Sequence, residues 1–323
     1  MFFKNMSRYY KMQHAMSNII PPKGSPHVIF LGMQGNFSLP SLRALLNYDI
    51  EVCAVVVPAP LVPGRESRAI RRQERPRLTR PVLPLLDDSV VELAWEHNIP
   101  VWEVQDLSDA RTISTLTAYE PDAICIACFS QRIPPAILEL PHFGCLNVHP
   151  SLLPANRGPV PLFWTFREGA EQTGVSIHLV DEGMDSGDIL AQEPIHVPDG
   201  ISYAHLEMLC ATHGGELLAR TVWNLYRGLA RRVAQDETKS SYHTFPYADD
   251  FVVHAGEWSA RHVYNFICGV VQWGGPVTIN AGGEVFEVRA AISYSQMNTE
   301  NAPGETGQAL LVQCKEGWVS VIK

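Results

Sequence analysis

Long hydrophobic runs are missing from this sequence of 323 residues, and no segment approaches the roughly 20 apolar residues of a membrane-spanning helix. Positive charge is also scarce. The net charge of −9 argues against a wholly basic nucleic-acid-binding protein, but it does not exclude a local basic patch. Cysteine is rare and odd in number, with seven in all, and several lie inside apolar runs. We therefore predict buried thiols in a reducing, cytoplasmic compartment rather than a disulfide framework.

The N-terminal segment has no acidic side chain, since the first acid in the chain is Asp49. It also lacks the apolar stretch of a secretory signal peptide. A mitochondrial-type presequence is one interpretation of this basic stretch. We expect instead a disordered tail over residues 1–26.

Strand and helix patterns alternate from His27 onwards. Helical spacing of apolar residues is found in stretches such as 88–97 and 109–120. Short apolar runs that are typical of buried strands lie between them: VIFLGM, VCAVVV, VWEV, AICIAC and VSIHLV. A helical stretch at 203–232 closes this part of the chain. The alternation predicts an α/β domain over residues 27–232 with a mostly parallel sheet, in which ligands bind at the carboxyl ends of the strands.

A smaller C-terminal domain is expected after a linker. Residues 233–250 are polar and rich in turn-forming residues, as a linker would be. A helix is predicted over residues 258–270, followed by hairpins that turn at Gly282-Gly283 and at Glu316-Gly317. Short strands with glycine turns indicate a small β-barrel over residues 251–323.

Two common binding signatures are incomplete. The GMQG sequence at 32–35 lacks the full glycine spacing of a dinucleotide fingerprint, so a tight turn is the better interpretation. Cys125 and Cys128 form a C-x-x-C pair on a predicted strand, where residues three apart face opposite sides. No second Cys or His pair completes a zinc site. We therefore interpret these cysteines as buried core residues and predict no metal.

The segment CLNVHPS, residues 145–151, places polar side chains at every second position. On an extended backbone Asn147, His149 and Ser151 lie on one side. Pro150 cannot donate to a strand ladder, so the strand ends there, where an α/β sheet forms its ligand crevice. A lone histidine at such a place is more often structural. An amide and an imidazole together indicate an oxyanion donor beside a group that titrates near pH 7.

A second polar segment is DEGMDSGDI, residues 181–189. Asp185 lies between Gly183 and Gly187, which allow the backbone to turn and approach a ligand closely. Asp181 and Asp188 fit an ordinary acidic loop. Asn147, His149 and Asp185 together suit acyl transfer to an amine. That reaction requires a donor to an oxyanion and a group that moves protons, but no serine or cysteine nucleophile.

The sequence resembles the folate-dependent formyltransferase family. The matching motifs are NVHPSLLP at 147–154, RGPVP at 157–161 and TGVSIHLVDEGMDSGDIL at 173–190. The resemblance implies a Rossmann-like catalytic domain, an OB-like C-terminal domain and 10-formyltetrahydrofolate as the formyl donor. It implies that Asn147, His149 and Asp185 are the catalytic residues. It also implies that the pterin lies against two loops, with contacts from Phe129, Ser130, Gln131, Arg132, Ile133, Val180, Asp181, Gly183 and Met184.

The acceptor amine is left open by the sequence. Residues 63–80 are rich in arginine, and on a helix one stripe would contain Arg68, Arg71, Arg72 and Arg75. The segment resembles a basic loop of those family members that act on tRNA, and arginine suits phosphate contacts. The alternative is a solvated loop. Because of the basic segment, the methionyl end of initiator tRNA is the first hypothesis for the acceptor.

Three alternatives stand beside the tRNA hypothesis. RGPVPLFW at 157–164 is more typical of formyltransferases that act on an amino sugar or another small amine. A hydrolase could use the same residues with water in place of the amine. A non-catalytic nucleic-acid-binding module ranks last, because residues 276–323 contain only Arg289, Lys315 and Lys323 as basic residues.

Overall fold

The structure is a computed structural model that describes residues 24–60, 69–75, 89–273, 275–296 and 309–323. Arg68 and most of the predicted N-terminal tail lie outside these ranges. In the part of the chain that is described, no helix is long and apolar enough to cross a membrane.

An eight-stranded sheet with the order β3-β4-β2-β1-β5-β6-β7-β8 is the main element of the fold. Strands β1, β2, β4, β5 and β6 pair in parallel, whereas β3 and β7 run antiparallel to their neighbours. The mostly parallel, Rossmann-like sheet is thus confirmed. Its strands are β1 His27–Gly32, β2 Glu51–Pro58, β3 Ile70–Gln73, β4 Val101–Val104, β5 Ala123–Ala127, β6 Cys145–His149, β7 Gln172–Leu179 and β8 Ile189–His196.

Helices connect these strands, and several begin at polar capping residues. Ser89 accepts a hydrogen bond from the Glu92 amide, and Asp109 accepts one from the Arg111 amide, which satisfies N–H groups that the first turn leaves unpaired. The helices are α1 Ser38–Asn47, α2 Val90–Glu96, α3 Ala110–Thr117, α4 Pro135–Leu138, α5 Pro161–Arg167, α6 Tyr203–Tyr226 and α7 Ala260–Val270. The helices predicted at 88–97, 109–120 and 258–270 are therefore present, with shorter ends.

The hydrophobic core around the central strands explains why the apolar runs form the sheet. Strands β1, β2 and β5 are almost wholly buried, and a single cluster joins their side chains to α3 and α4. Members of this cluster include Leu31, Val56, Leu116, Ile126 and Ile137. Burial of each such side chain contributes about 1.5–3 kcal/mol. The core fixes the strands whose carboxyl ends carry the polar residues.

The C-terminal region contains two three-stranded sheets, with the orders β11-β10-β9 and β12-β14-β13. Their strands are β9 Val252–His254, β10 Val277–Ala281, β11 Glu284–Val288, β12 Ala290–Ser295, β13 Ala309–Gln313 and β14 Trp318–Ile322. Antiparallel pairing of β10 with β11 and of β13 with β14 confirms both predicted hairpins. These strands form the small second β region that was predicted.

Two compact units make up the chain. The first contains Met1–His149, Ser176–Glu193 and Ala211–Gln235, and the second contains Pro150–Val175, Pro194–Cys210 and Asp236–Lys323. The predicted domain limits, 27–232 and 251–323 with a linker at 233–250, stay predictions.

The predicted helical stripe of arginines is wrong. Ile70–Gln73 is an edge strand that pairs antiparallel with β4, and neighbouring side chains on a strand point to opposite faces. Arg71 forms a hydrogen-bonded ion pair with Glu103, whose side chain is 10% exposed. Arg72 and Arg75 are instead exposed and line a cavity of about 470 Å³ with Trp95 and Ile99. Pairing with β4 overrides the helical spacing, and it gives Arg71 a structural partner.

This division between neighbouring arginines predicts different effects on stability. Arg71→Met leaves the Glu103 carboxylate without its cation, and we expect a loss of about 1–3 kcal/mol of unfolding free energy. Exposed Arg72→Met is the matched control, with an expected change below about 0.5 kcal/mol. Thermal melting followed by circular dichroism would measure both variants. Equal melting temperatures for the two would contradict a structural role of Arg71.

Candidate active site

Strand β6 ends at the predicted polar residues. It pairs in parallel with β5 and antiparallel with β7, so its backbone is fixed on both sides. Asn147 and His149 are two residues apart and thus lie on one face of the sheet. His149 is only 4% exposed. The sheet therefore presents an amide and a shielded imidazole at its carboxyl edge, as predicted.

The segment after β7 returns a carboxylate to this edge. Asp185 has a left-handed backbone with φ of 52°, which is uncommon for a residue other than glycine. A Cβ atom on Gly187 would overlap the carbonyl oxygen of Leu179, so only glycine fits the close return of the chain. Asp181 stabilises the first turn of the loop. Its carboxylate accepts hydrogen bonds from the Gly183 amide and the Ser186 hydroxyl at 3.0 and 2.9 Å.

The structure brings the predicted His149 and Asp185 together. Asp185 Oδ2 lies 3.8 Å from His149 Nδ1. This distance allows a strong charge interaction, but it exceeds the range of a direct hydrogen bond. The Asp185 side chain is 12% exposed, so water screens the interaction only partly. The carboxylate is thus placed to attract a positive charge that develops on the His149 imidazole.

A second histidine, His178, belongs to the site and was missed by the sequence analysis. It lies on β7 directly opposite Asn147, and its side chain is 2% exposed. Its Nε2 is 3.2 Å from Asn147 Nδ2 and 3.6 Å from Asp185 Oδ1. The alternation of side chains in VSIHLV indicates which face of β7 His178 occupies. Placing His178 opposite Asn147 also requires knowing that β7 pairs antiparallel with β6.

The contacts of His178 fix the orientation of the Asn147 amide. His178 Nδ1 lies 2.9 Å from the carbonyl oxygen of Leu179, which can only accept, so Nδ1 carries a proton. In the neutral ring Nε2 is then an acceptor, and it takes one of the two Asn147 Nδ2 hydrogens. The second Nδ2 hydrogen is left for a ligand oxygen. This is the geometry that an oxyanion donor requires.

The two loops predicted to hold a pterin are joined to each other. The Arg132 guanidinium donates to the carbonyl oxygen of Glu182, and Gln131 Nε2 donates to the carbonyl oxygen of Val104 at 3.0 Å. Phe129, Ile133 and Val180 all belong to or pack on the same core cluster. Polar or flexible groups at the loop surfaces are exposed: Ser130, Arg132, Asp181, Gly183 and Met184. The loops are thus firmly anchored and still present a ligand surface, and their contact with a pterin stays a prediction.

Ser151 and Arg157 shape the backbone of the second unit. The Ser151 hydroxyl donates to the carbonyl oxygen of Ala155 at 2.7 Å. Arg157 forms two hydrogen bonds to the Glu237 carboxylate, at 2.8 and 3.0 Å. Ser151 was predicted to lie on the same strand face as Asn147 and His149. Strand β6 ends at His149, and Ser151 belongs to the second unit.

Cys145 of β6 is not an activated nucleophile. Burial raises the pKa of the Cys145 thiol, at the start of β6, to about 12 and keeps it protonated near neutral pH. Cys125 is buried as predicted, but the prediction for Cys128 is wrong. Strand β5 ends at Ala127, and Cys128 follows in a left-handed conformation with an exposed side chain. Among the described residues, no group of three or more His, Cys, Asp or Glu side chains could hold a metal ion.

These residues define a class of protein. A mostly parallel α/β sheet carries an amide donor, a buried imidazole and a carboxylate at the end of one strand. Such a set can stabilise an oxyanion and move a proton. The class is that of an α/β transferase or hydrolase that needs no covalent protein nucleophile.

The comparisons with known proteins identify the family. A family model described as formyl transferase matches residues 49–222. Methionyl-tRNA formyltransferases of Syntrophus aciditrophicus and Pelotomaculum thermopropionicum are 32% and 31% identical over 90% and 88% of this chain, which corresponds to 88% and 83% of their own lengths. The chain therefore belongs to the folate-dependent formyltransferase family, as its motifs predicted, and is a formyltransferase enzyme.

Solved structures show the same fold at lower identity. The N-formyltransferase of Helicobacter canadensis, in complex with folinic acid and dTDP-3-aminofucose, has a TM-score of 0.61 at 14% identity and covers 93% of this chain and 99% of that one. HypX from Aquifex aeolicus, in complex with tetrahydrofolic acid, has a TM-score of 0.56 at 16% identity and covers 92% of this chain and 44% of that one. At these identities the likeness concerns the fold alone.

The contact between His178 and Asn147 predicts that His178 affects turnover. His178→Leu removes the acceptor that orients the amide, and we expect kcat for formyl transfer to fall about tenfold, the equivalent of one hydrogen bond. His178→Gln keeps an acceptor oxygen at a similar reach and should retain more activity. Steady-state kinetics of both variants, with melting temperatures as the folding control, would measure this. A folded Leu variant with the kcat of the wild type would show that the contact does not matter.

Proposed function

We propose that this chain transfers the formyl group of 10-formyltetrahydrofolate to the amine of methionyl-tRNA, with Asn147, His149 and Asp185 as its catalytic residues. The observation that carries the proposal is the convergence of these side chains. Asn147 and His149 share one face of β6, and the Asp185 carboxylate lies 3.8 Å from the His149 ring.

The donor is inferred from the two anchored loops and from the names of relatives. HypX is described in complex with tetrahydrofolic acid and the Helicobacter canadensis enzyme in complex with folinic acid, and both share the fold. Residues 129–133 and 180–185 here are linked through Arg132 and present main-chain groups beside the carboxyl edge of the sheet. Main-chain donors and acceptors suit a flat, polar heterocycle such as a pterin. The donor supplies a formyl group on N10.

Each catalytic side chain has one task in this proposal. The free N–H of Asn147 donates to the formyl oxygen as negative charge develops there. The buried His149 adds a second positive or donating group beside that oxygen. Asp185 stabilises the charged imidazole and orients it. As the acceptor nitrogen bonds to the formyl carbon and the bond to N10 breaks, the acceptor loses one proton and N10 gains one.

An acceptor that contacts both Arg72 and Asn147 must be large. Arg72 and Asn147 lie in one row of paired residues that runs through Trp102, Val56, Leu31 and Ile126. Five strand spacings separate β3 from β6 in this row, or roughly 24 Å. A small amine cannot touch both residues, whereas the acceptor arm of a tRNA can. The cavity beside Arg72 and Arg75 contains Trp95 and is lined by residues 98–101, which lead into the amino end of β4.

A small-amine acceptor is the second candidate. The RGPVP motif and the fold shared with the Helicobacter canadensis enzyme, which is described in complex with dTDP-3-aminofucose, favour it. In that case only the β6 side of the sheet is used. Seven thiols without a disulfide fit either acceptor in a reducing compartment such as the cytoplasm.

The deciding experiment offers the purified chain 10-formyltetrahydrofolate with a panel of acceptors. The panel contains charged methionyl-tRNA, uncharged tRNA, amino-sugar nucleotides and water alone, and tetrahydrofolate release is followed. We expect release with charged methionyl-tRNA. Release with an amino sugar alone would favour the second candidate, and formate release without acceptor would identify a hydrolase. No release with any of them would contradict formyl transfer.

Loss of single catalytic groups should reduce turnover strongly. We expect His149→Ala to lower kcat by about 10²–10⁴, as for a lost acid–base group. Asn147→Ala should cost about 10²–10³, as for one oxyanion donor. The control is Gln313→Ala, a change of an exposed amide on β13. Folded variants with near-normal turnover would show that the assignment is wrong.

Arg72 and Arg75 should contribute to tRNA binding and not to chemistry. Each phosphate contact contributes a slope of about −0.7 to −0.9 to the logarithm of affinity against the logarithm of salt concentration. The double change of Arg72 and Arg75 to Ala should therefore flatten this slope and raise KM for tRNA, with little change in kcat. Arg71 is left in place because of its pairing with Glu103.

The matched control for charge is the double change of the exposed Arg231 and Arg232 to Ala. Steady-state kinetics at two salt concentrations would compare the three proteins. If both double variants alter KM and salt slope equally, the effect is one of net charge, and the specific contact is refuted.

A further inference from the structure

The catalytic loop is held from outside by a side chain that the mechanism does not use. Gln235 Nε2 donates one hydrogen bond to the carbonyl oxygen of Asp185 at 2.8 Å and another to the carbonyl oxygen of Gly187 at 2.7 Å. A side-chain amide has two N–H donors, so both are used on this one loop. The residue was placed in a linker by its sequence, yet it belongs to the same compact unit as Asp185.

The backbone on either side of Gln235 is also fixed. Ile189 and Val233 exchange two main-chain hydrogen bonds, at 2.8 and 2.9 Å, in an antiparallel bridge. The segment that carries Gln235 is thus fastened to the residue where the loop enters β8. A glutamine two residues beyond this bridge reaches the middle of the loop from a rigid base.

The conformation of Asp185 explains why such support is needed. With φ of 52°, Asp185 is in a region that costs free energy for a residue with a side chain, and surrounding contacts must compensate. The Asp181 carboxylate secures residues 183 and 186, on either side of Asp185. A hydrogen bond to the Asp185 carbonyl oxygen fixes the peptide plane that follows Asp185. Rotation of that plane would swing the carboxylate relative to His149.

We propose that Gln235 is a positioning residue that holds the Asp185 carboxylate toward His149. The inference rests on the catalytic role proposed above for Asp185. In these two contacts the Gln235 side chain binds the backbone of the loop rather than the Asp185 carboxylate. Its two partners are main-chain oxygens at the end of the 180–185 loop, so we expect its loss to act on turnover more than on acceptor binding.

A double-mutant cycle tests this coupling in the full-length protein, with the acceptor identified by the panel assay. Gln235→Leu removes both donors at similar volume. We expect kcat to fall about 10- to 100-fold, as for a misplaced catalytic group, with KM changed less than about threefold. In an Asp185→Asn background the same change should cost less than about threefold, because the charge that Gln235 positions is already absent.

The controls separate positioning from general loss of structure. The matched change Gln313→Leu, at an exposed glutamine on β13, should leave kcat unchanged in both backgrounds. Melting temperatures report folding of every variant. If Gln235→Leu does not fold, Gln235→Asn, which keeps the amide on a shorter side chain, takes its place in the cycle with the same expected coupling.

The possible results distinguish this inference from the proposed function. Normal kcat for Asp185→Asn would overturn the catalytic role of Asp185 and this inference with it. A strong effect of Asp185→Asn, together with normal kcat for Gln235→Leu, would leave the proposed function intact and overturn the positioning role. Fully additive losses in the double variant would overturn it as well, because they would show that Gln235 does not act through Asp185.

Discussion

Antiparallel pairing of β6 with β7 is the constraint on which the whole site depends. The register sets Asn147 opposite His178 and His149 opposite Ser176. A shift of the pairing register by one residue would turn every side chain of β6 to the other face of the sheet. The parallel pairing with β5 and the buried core beneath it prevent such a slip. The same pairing decides where β7 ends, and therefore where the loop that carries Asp185 begins.

The loop itself shows how a strained conformation is maintained beside a rigid sheet. Asp185 has an unfavourable backbone, and the Gln235 side chain binds the main-chain oxygens of Asp185 and Gly187. Gly187 allows the chain to pass close to Leu179, where any Cβ atom would overlap. The carboxylate lies 3.8 Å from His149 Nδ1 and 3.6 Å from His178 Nε2. Contacts to the backbone of the loop thus position Asp185 at the site.

Much of this arrangement was predictable from the sequence, because strands impose a period of two. Asn147 and His149 could be placed on one face, and the prolines after them marked the end of the strand. His178 could not be placed, since only the order and direction of strands show which residue of VSIHLV faces Asn147. Gln235 was likewise hidden, because its partners are main-chain oxygens some 50 residues earlier in the chain. Side chains that bind backbone atoms leave no pattern of their own type in a sequence.

The prediction of a helix in the arginine segment was wrong for the opposite reason. A helical pattern was present in the sequence, but strand pairing in the folded protein overrode it. Arg68, Arg71, Arg72 and Arg75 have helical spacing, but residues 70–73 complete the edge of the sheet. An edge strand separates Arg71, which neutralises Glu103, from Arg72, which faces the cavity with Trp95. In the proposed function, β3 and β6 then have different tasks at opposite sides of a rigid sheet. Because the strands between them are almost wholly buried, the edge can change its charged residues without moving Asn147 or His149. In the proposed function, the acceptor contacts at β3 are thus separate from the chemistry at β6.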